Sequence, residues 1–391
     1  MSWVARMTLS LFAVAVPLYI YTGLKGVEAV TRLWPQMKMT AQWTVAAAGV
    51  WLSLYPLLLF FGYANLRAFR DGGLWTDRLL VYPFWIGAIL VLQIVPYLLA
   101  LDVVKWSIRL AVDAHWTEME AWGVMAVLTV TTAYVGGRIY WDTCRVQVRE
   151  QELAVEGLPE ALDGLRIVHV TDVQADFRTD RKRLTAYVET VNGLQADLVL
   201  FSGDLVTRGT AYIGQGAEMV GQMQGRHGVF ACLGDHDIWS DQAQIIRQLE
   251  TQGVQTLDNR HLELRVDGQA VGLSVLTNAY SDRPNLYAFA QEIPEAPLLV
   301  LLTHQPSPRV VDFAEAKGYH LMVSGHTHGG QVVANWFGWQ ATLARSETPY
   351  VSGCFQVDAL LLSVNNGLGL TLAPVRYRAP AEVTLIRVRS R

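Results

Sequence analysis

The chain has 391 residues, more than one average domain holds, so two structural parts are expected. Hydrophobic residues make up 51% of the sequence, and most of the excess lies before residue 140. The formal net charge of −4 lacks the basic excess of a nucleic-acid-binding protein, so no nucleic-acid partner is expected. Three cysteines without C-x-x-C spacing indicate neither a disulfide framework nor a zinc ribbon.

Four charge-free stretches near the amino terminus predict membrane-spanning helices, because a span needs roughly 20 apolar residues. They are Met7–Leu24, Met39–Leu66, Leu79–Leu101 and Ala121–Gly137. The first and the fourth are short enough to be buried or interfacial helices instead. No acidic or basic residue lies inside any stretch, so the helices are interpreted as an anchor in the lipid bilayer rather than an ion pathway.

The basic residues that flank these stretches predict the orientation of the protein. With four spans, both ends of the chain share one side of the membrane. That side carries Arg6, Arg67, Arg70, Arg78, Arg138, Arg145 and Arg149, and the other carries Lys25, Arg32, Lys38, Lys105 and Arg109. Because cytoplasmic segments hold the excess of Lys and Arg, we expect a multi-pass inner-membrane protein with a cytoplasmic carboxy-terminal domain.

After Arg149 the sequence changes to short apolar runs that alternate with amphipathic segments, which is typical of an α/β domain. Strands are predicted at Leu165–Thr171, Asp197–Ser202, Val229–Leu233, Leu298–Thr303 and Leu321–Ser324. Helices are predicted at Arg181–Asn192, Gly214–Met223 and Gln242–Thr251. Two antiparallel pairs are predicted, Leu262–Val266 with Val271–Leu276 and Ala359–Val364 with Val383–Val388. We therefore expect a transmembrane helical region at 1–140, a linker and first strand at 141–162, and a soluble domain at 163–391.

Each of the five predicted strands is followed by Asp or His side chains. The sequences at these strand ends are Asp172-Val173-Gln174, Gly203-Asp204, Gly234-Asp235-His236-Asp237, His304 and Gly325-His326-Thr327-His328. Strand ends of open α/β sheets are where sites form, so these side chains are expected to meet. Carboxylates and imidazoles in such a set can hold two divalent ions about 3.5–4 Å apart, which bind phosphate oxygens.

In these motifs the chain resembles the calcineurin-like metallophosphoesterase superfamily. The pattern of that family is Asp-x-His, Gly-Asp, Gly-Asn-His-Asp/Glu, a lone His and Gly-His-x-His. The resemblance covers roughly residues 163–390 and is most specific at residues 325–331. Residues 367–369, 374–377 and 380–385 are similar to a bacterial membrane-associated branch, some members of which cleave UDP-diacylglucosamine or other lipid-linked phosphates. The resemblance implies a layered β-sandwich flanked by helices that hydrolyses phosphate esters or pyrophosphates.

The resemblance also implies a role for each strand-end residue. Asp172, Asp204 and His328 would hold a first metal ion, with position 174 in the place of a further ligand. Asp204 would bridge to a second ion, whose other ligands are His304, His326 and Asp235. His236 would be the catalytic residue, which stabilises the transition state or protonates the leaving oxygen.

Two positions depart from the family pattern, because Gln174 replaces a histidine and Asp235 replaces an asparagine. Both retain an oxygen ligand, so hard ions such as manganese or magnesium are favoured over iron or zinc. The same departures keep open a second hypothesis, a catalytically silent metal-binding sensor or scaffold of the membrane. A third hypothesis, a transporter with a regulatory phosphoesterase domain, is disfavoured by the charge-free spans.

An aromatic run, Val332-Val333-Ala334-Asn335-Trp336-Phe337-Gly338-Trp339, directly follows the last histidine motif. It is interpreted either as an apolar hairpin packed in the core or as an anchor at the membrane interface, where such rings concentrate. The second interpretation favours a lipid-linked substrate that carries a phosphate group.

Overall fold

The computed structural model describes residues 3–61, 73–111, 117–277 and 285–391. The chain divides into two compact units. The helical unit comprises Met1–Trp141, Val332–Ala341 and Leu372–Arg378, and the α/β unit comprises Asp142–Gln331, Thr342–Thr371 and Ala379–Arg391. Two short segments within the range 163–391 thus belong with the helices, so the division is discontinuous in sequence.

The helices and strands have the following bounds. The helices are α1 Trp3–Leu33, α2 Lys38–Phe60, α3 Tyr82–Ala111, α4 Thr117–Cys144, α5 Arg181–Gly193, α6 Ile213–Gly221, α7 Asp235–Ser240, α8 Gln242–Thr251, α9 Leu286–Phe289 and α10 Pro308–Ala316. The strands are β1 Val146–Val155, β2 Arg166–Val170, β3 Leu198–Phe201, β4 Val229–Ala231, β5 Gln255–Thr256, β6 Arg260–Val266, β7 Gln269–Leu276, β8 Leu298–Thr303, β9 Leu321–Ser324, β10 Ala334–Trp336, β11 Trp339–Ala341, β12 Gly353–Val357, β13 Leu360–Val364 and β14 Ala381–Ser390.

The α/β unit contains two six-stranded mixed sheets. The first has the order β1-β14-β2-β3-β4-β5, in which β2 to β5 are parallel and β14 is antiparallel to β2. The second has the order β12-β13-β9-β8-β7-β6, in which the four central strands are parallel and both edge pairs are antiparallel. The carboxyl ends of the parallel strands in each sheet therefore lie along one edge.

Strand β3 shows why the two sheets pack into layers. Its four residues are all buried, and successive side chains point to opposite faces of the strand. Leu198 and Leu200 enter the apolar core shared by the two sheets, whereas Val199 and Phe201 enter a second core beneath helices α5, α6 and α8. A third core lies between the other sheet and α10. The unit is a β-sandwich with helices on both outer faces, as expected.

Most of the predicted elements of this unit are confirmed, but one predicted strand pair is wrong. Each of the five strands and three helices is present, and β6 pairs antiparallel with β7. The predicted pairing of Ala359–Val364 with Val383–Val388 does not form: β13 pairs with β12 and β9, and β14 pairs with β1 and β2. Both strands are buried on both faces, so their sequences carry no alternation that identifies a partner.

The helical unit contains three helical stretches that are long and apolar enough to cross a membrane, Val4–Leu33, Pro35–Phe60 and Asp77–Ile108. They coincide with the first three predicted spans, except that residues 62–66, like Arg67 and Arg70, lie outside the described residues. Helix α4 is not among the three stretches found in the described part of the chain, so a fourth span stays a prediction.

Helix α3 is the packing centre of the helical unit. Phe84 and Leu98 are buried on it, against residues of α2 and α4 respectively. The hairpin of β10 and β11 also contacts it: the indole nitrogen of Trp336 donates to the Leu92 carbonyl at 2.7 Å. The Nε2 of Gln93 donates to the Asn335 carbonyl at 2.6 Å. Gln93 lies midway along the stretch Asp77–Ile108, so the aromatic hairpin packs beside the middle of an apolar helix rather than at its end.

Candidate metal centre and active site

The strand-end residues of the two sheets form a single cluster in the α/β unit. Asp172 follows β2, Asp204 follows β3 and Asp235 follows β4, while His304 follows β8 and the His326–His328 turn follows β9. Main-chain hydrogen bonds join neighbouring ends, from Asp172 N to the Gly203 carbonyl at 2.9 Å and from Gly325 N to the His304 carbonyl at 3.0 Å. The two sets meet where the His326 backbone nitrogen donates to Asp172 Oδ2 at 2.9 Å.

The backbone of these turns adopts a conformation that L-residues seldom occupy. Positive φ angles are found at five of the seven predicted ligands, namely Asp172 (50°), Gln174 (48°), Asp204 (57°), His326 (67°) and His328 (50°). A positive φ is uncommon for a residue other than glycine, and it persists only where the surrounding structure imposes it. Such residues cluster at functional sites, which favours the interpretation of these turns as part of a functional site.

Two glycines leave room for the carboxylates. A β-carbon at Gly325 would collide with the side chains of Thr171 and Asp172, and one at Gly234 would collide with the Asp204 carboxylate. Gly234 has a negative φ of −94°, so at this position the need for glycine is space rather than a left-handed turn. At both positions the absence of a side chain allows the backbone to approach a carboxylate closely.

One part of the cluster is formed by Asp235, His304 and His326. The His304 Nε2 lies 3.1 Å from Asp235 Oδ1 and 3.3 Å from His326 Nδ1, and His326 Nδ1 lies 3.1 Å from the same carboxylate oxygen. The other ring nitrogen of His304 donates to the Ser202 carbonyl at 2.7 Å. That bond fixes the tautomer in which Nε2 can be a ligand.

The second part of the cluster surrounds Asp172 and Asp204. Asp172 Oδ1 lies 3.3 Å from the Nε2 of His328, and Asp204 Oδ2 lies 3.5 Å from the Nε2 of His304. The Gln174 amide nitrogen donates to Asp204 Oδ2 at 2.6 Å. Its amide oxygen is buried and makes no hydrogen bond. An unpaired buried oxygen of this kind suits a cation ligand.

The donor set fits divalent cations. Asp235, His304 and His326 offer ligand atoms within 4.8 Å of one another, and so do Asp172, Asp204 and His304. Within the described residues, none of the three carboxylates has an ion pair with Lys or Arg. Buried carboxylates are costly unless a cation compensates their charge.

The histidines provide part of that compensation through altered pKa values. Burial disfavours the charged ring of His304, but the charge of Asp204 and hydrogen bonds to Asp204 and Asp235 outweigh burial and raise its pKa. Burial likewise opposes charge on His326, but hydrogen bonds to Asp235 and Glu347 raise its pKa to about 9. Protons therefore occupy ring nitrogens that a metal ion requires, and metal binding releases protons.

His236 lies beside the carboxylates at the start of α7. Its backbone nitrogen donates to Asp204 Oδ1 at 3.0 Å, and its ring Nδ1 lies 2.6 Å from the Thr207 carbonyl. This main-chain oxygen therefore orients the ring. The Nε2 is thereby the nitrogen left to face a substrate. Burial opposes its charge, yet Asp204 and Asp235 raise the pKa of His236.

Three residues near the cluster have roles that the sequence did not assign. The Asp237 carboxylate accepts from the backbone nitrogens of Asp204, Leu205 and Gly234 at 2.8–3.0 Å. Glu347 Oε2 lies 3.3 Å from the His326 Nε2, on the side of the ring away from Asp235. Trp239 lies one helical turn after His236, with ring centroids 5.4 Å apart, and it is 61% exposed. Asp237 belongs to the motif that follows β4, and Trp239 has i+3 spacing from His236. No sequence signal identified Glu347.

The region that contains most of this cluster also matches a known family. Residues 165–330 match the family model described as calcineurin-like phosphoesterase. The chain thus carries a calcineurin-like metallophosphoesterase domain.

Relatives occur in bacteria and animals. An uncharacterized metallophosphoesterase of Bacillus subtilis, YkuE, is 24% identical over 257 residues, which cover 64% of this chain and 88% of that protein. A transmembrane protein with metallophosphoesterase domain from Danio rerio is 27% identical over 265 residues, covering 61% of this chain and 56% of that protein. An archaeal phosphodiesterase of known structure has a TM-score of 0.31 and 13% identity, and the match covers 52% of this chain and 84% of that one.

Proposed function

We propose that the α/β unit hydrolyses phosphate esters or pyrophosphates with the help of two divalent metal ions. The observation that carries this proposal is the buried cluster of three carboxylates and three imidazoles, which lacks compensating Lys or Arg side chains among the described residues. A cluster with this composition at the strand ends of a metallophosphoesterase domain is suited to binding phosphate oxygens.

Each proposed ion has its own set of ligands. Asp172, Gln174, Asp204 and His328 would hold the first, and Asp204 would be shared with a second held by Asp235, His304 and His326. When bound, such ions supply positive charge that attracts phosphate oxygens and favours the ionisation of water. The oxygens of Gln174 and Asp235 favour manganese or magnesium over iron or zinc.

His236 is the proposed general acid. Its Nδ1 bond to the Thr207 carbonyl directs Nε2 away from the main chain, and the carboxylates of Asp204 and Asp235 raise its pKa, which favours the protonated ring. As the bond from phosphorus to the leaving oxygen breaks and water adds its oxygen to phosphorus, the Nε2 proton passes to the leaving oxygen. The proton that the attacking water loses passes to solvent or to a nearby base.

A panel of phosphomonoesters, phosphodiesters and pyrophosphates tests this role in the full-length protein. His236→Ala should keep its metal content and lose roughly 10²–10⁴-fold in kcat. His227→Ala is a matched control, since His227 neighbours Asp267 rather than the cluster. The raised pKa predicts that wild-type kcat falls as pH rises through that pKa, because the acid is then lost; the variant should lack this alkaline limb. Absence of turnover with every metal and substrate would favour the sensor or scaffold instead.

A lipid-linked phosphate is the proposed substrate class. The aromatic hairpin follows the His326–His328 turn after only a few residues, and it packs against an apolar helix of the helical unit. Phe337 and Trp339 are 72% and 63% exposed, although both are large and apolar. Exposed aromatic rings on a membrane-associated unit, together with exposed Trp239 beside His236, support a substrate with hydrocarbon chains.

We also propose that the protein is a multi-pass protein of the inner membrane and that the α/β unit is cytoplasmic. The proposal rests on the distribution of basic residues between the two sides of the predicted spans. A reporter that is active only in the periplasm, fused after Arg391, should give no signal. A strong signal from that fusion would place the α/β unit, and its substrate, outside the cytoplasm.

A further inference from the structure

The helical unit contains a cavity of about 500 Å³ between α3 and α4. It is lined by Gln93, Tyr97, Ala126, Val127, Val130, Thr131 and Tyr134. This volume falls within the roughly 300–1,000 Å³ of ordinary ligand sites. Gln93 lies midway along the apolar stretch Asp77–Ile108, so the part of the cavity beside Gln93 faces the hydrocarbon region of a bilayer.

One end of the cavity is apolar. Ala126 and Val130 are one turn apart on the same face of α4, and Val127 lies next to them. Tyr134 follows Ala126 by eight positions, which at the helical rise of 1.5 Å per residue is about 12 Å. A surface of this length and composition suits a hydrocarbon chain.

The polar groups on the α3 side of the cavity are already satisfied by protein. Gln93 Nε2 donates to the Asn335 carbonyl, and Gln93 Oε1 accepts from the Tyr377 hydroxyl at 3.1 Å. The Tyr97 ring packs edge-on against Phe337 at 5.3 Å between centroids. Since these groups do not require water, an apolar occupant leaves no unpaired amide on this wall.

The Tyr134 end of the cavity adjoins positive charge. A guanidinium nitrogen of Arg378 donates to the Tyr134 hydroxyl at 2.6 Å. Arg138 follows Tyr134 by four positions, which is about one turn of α4. Guanidinium groups are well suited to phosphate, which they bind through charge-assisted hydrogen bonds.

We propose that this cavity is a binding site for one anionic phospholipid. An acyl chain lies along Ala126, Val127 and Val130, and the headgroup phosphate lies at the end marked by Tyr134, Arg138 and Arg378. The site is independent of hydrolysis by the α/β unit, because all of its residues belong to the helical unit.

The test uses the full-length protein in nanodiscs of phosphatidylglycerol and phosphatidylcholine in a 1:3 ratio, followed by native mass spectrometry of the released protein. Wild type should retain one phosphatidylglycerol. Val130→Trp, which fills the cavity, should retain none above the phosphatidylcholine background. Val104→Trp is the matched control, because Val104 and Val130 are 54% and 66% exposed but only Val130 lines the cavity. Retention that is equal in both variants overturns the proposal.

Two further measurements keep the proposal testable if Val130→Trp is unstable. Arg378→Gln should abolish the preference for phosphatidylglycerol over phosphatidylcholine while a lipid chain is still retained; an unchanged preference contradicts the assigned phosphate position. Phosphatidylglycerol with a photoactivatable acyl chain should label wild-type α4 between Ala126 and Tyr134. Labelling spread evenly over the exposed faces of α1 to α4 would show an ordinary annular lipid and overturn the proposal.

Discussion

At the scale of single residues, the cluster joins two kinds of side chain, those that can contact a cation and those that hold the first kind in place. Asp237 binds three backbone nitrogens of the Asp204 and Gly234 turns and so fixes the main chain around the shared carboxylate. Glu347 and the Thr207 carbonyl fix the rings of His326 and His236. Partners that orient a metal-binding histidine commonly matter nearly as much as the ligand itself.

Glu347 provides a specific prediction at this scale. Glu347→Gln removes the carboxylate behind the His326 ring, which orients the ring and increases its basicity, so metal affinity should fall by roughly 10–100-fold. A competition titration with a metal indicator measures the change. Turnover should recover in excess manganese, which a folding defect would not allow. Glu295→Gln, at an exposed position, is the control. An unchanged metal affinity in Glu347→Gln would show that Glu347 does not support the metal site.

The sequence indicated which residues would lie together because most of them directly follow strands. Parallel strands place their carboxyl ends together, so Asp172, Asp204, Asp235, His304 and the His326–His328 turn could be grouped from the sequence alone. Their assignment to individual ions stays a prediction. Glu347 could not be found this way, because it comes from a loop 21 residues beyond His326 whose position depends on the tertiary fold.

At the scale of secondary-structure elements, the hairpin of β10 and β11 is notable because it packs against helix α3 of the helical unit. Its turn residues Phe337 and Gly338 have positive φ angles of 51° and 90°, which suit a tight hairpin. Trp336 and Trp339 stack at 5.4 Å between ring centroids, and Trp336 is tied to α3 through its indole nitrogen. The sequence indicated an aromatic hairpin, but its contact with the middle of α3 depends on Gln93, a residue more than 240 positions earlier.

The hairpin prediction concerns substrate preference. Trp336→Ala with Trp339→Ala should remove the advantage in kcat/KM of lipid-linked phosphates in micelles over soluble analogues with the same headgroup. Hydrolysis of a small chromogenic ester should be spared. Trp339→Ala alone should show part of the effect without loss of the Trp336 hydrogen bond, and Trp106→Ala, exposed on α3, is the control. An equal kcat/KM of wild type on both substrate types would indicate that the helices only anchor the protein.

Strand pairing marks the limit of sequence inference at this scale. The amphipathic helices and buried strands were located correctly because hydrophobic periodicity is a local property. The partners of β13 and β14 were not, because strands buried on both faces read as continuous apolar runs. Their separation into different sheets is decided by long-range packing.

At the scale of the whole molecule, the chain is divided into two units that are interleaved in sequence. The carboxy-terminal part contributes residues 332–341 and 372–378 to the helical unit and then returns to complete both sheets with β12, β13 and β14. Composition predicted an apolar amino-terminal part and an α/β remainder. It could not predict the two returning segments, because a short apolar run has the same local pattern in a soluble core and beside a membrane helix.

The central claim, a metal site organised around Asp204, is tested most directly by the metal content of the full-length protein. After incubation with manganese and removal of free metal, wild type should contain about two ions per chain. Asp204→Asn should lose most of both, because the proposed sites share its carboxylate, whereas Asp258→Asn, at an exposed position, should match wild type. Circular dichroism and the thermal midpoint would verify that the variants are folded. Full metal content in a folded Asp204→Asn variant would contradict the account.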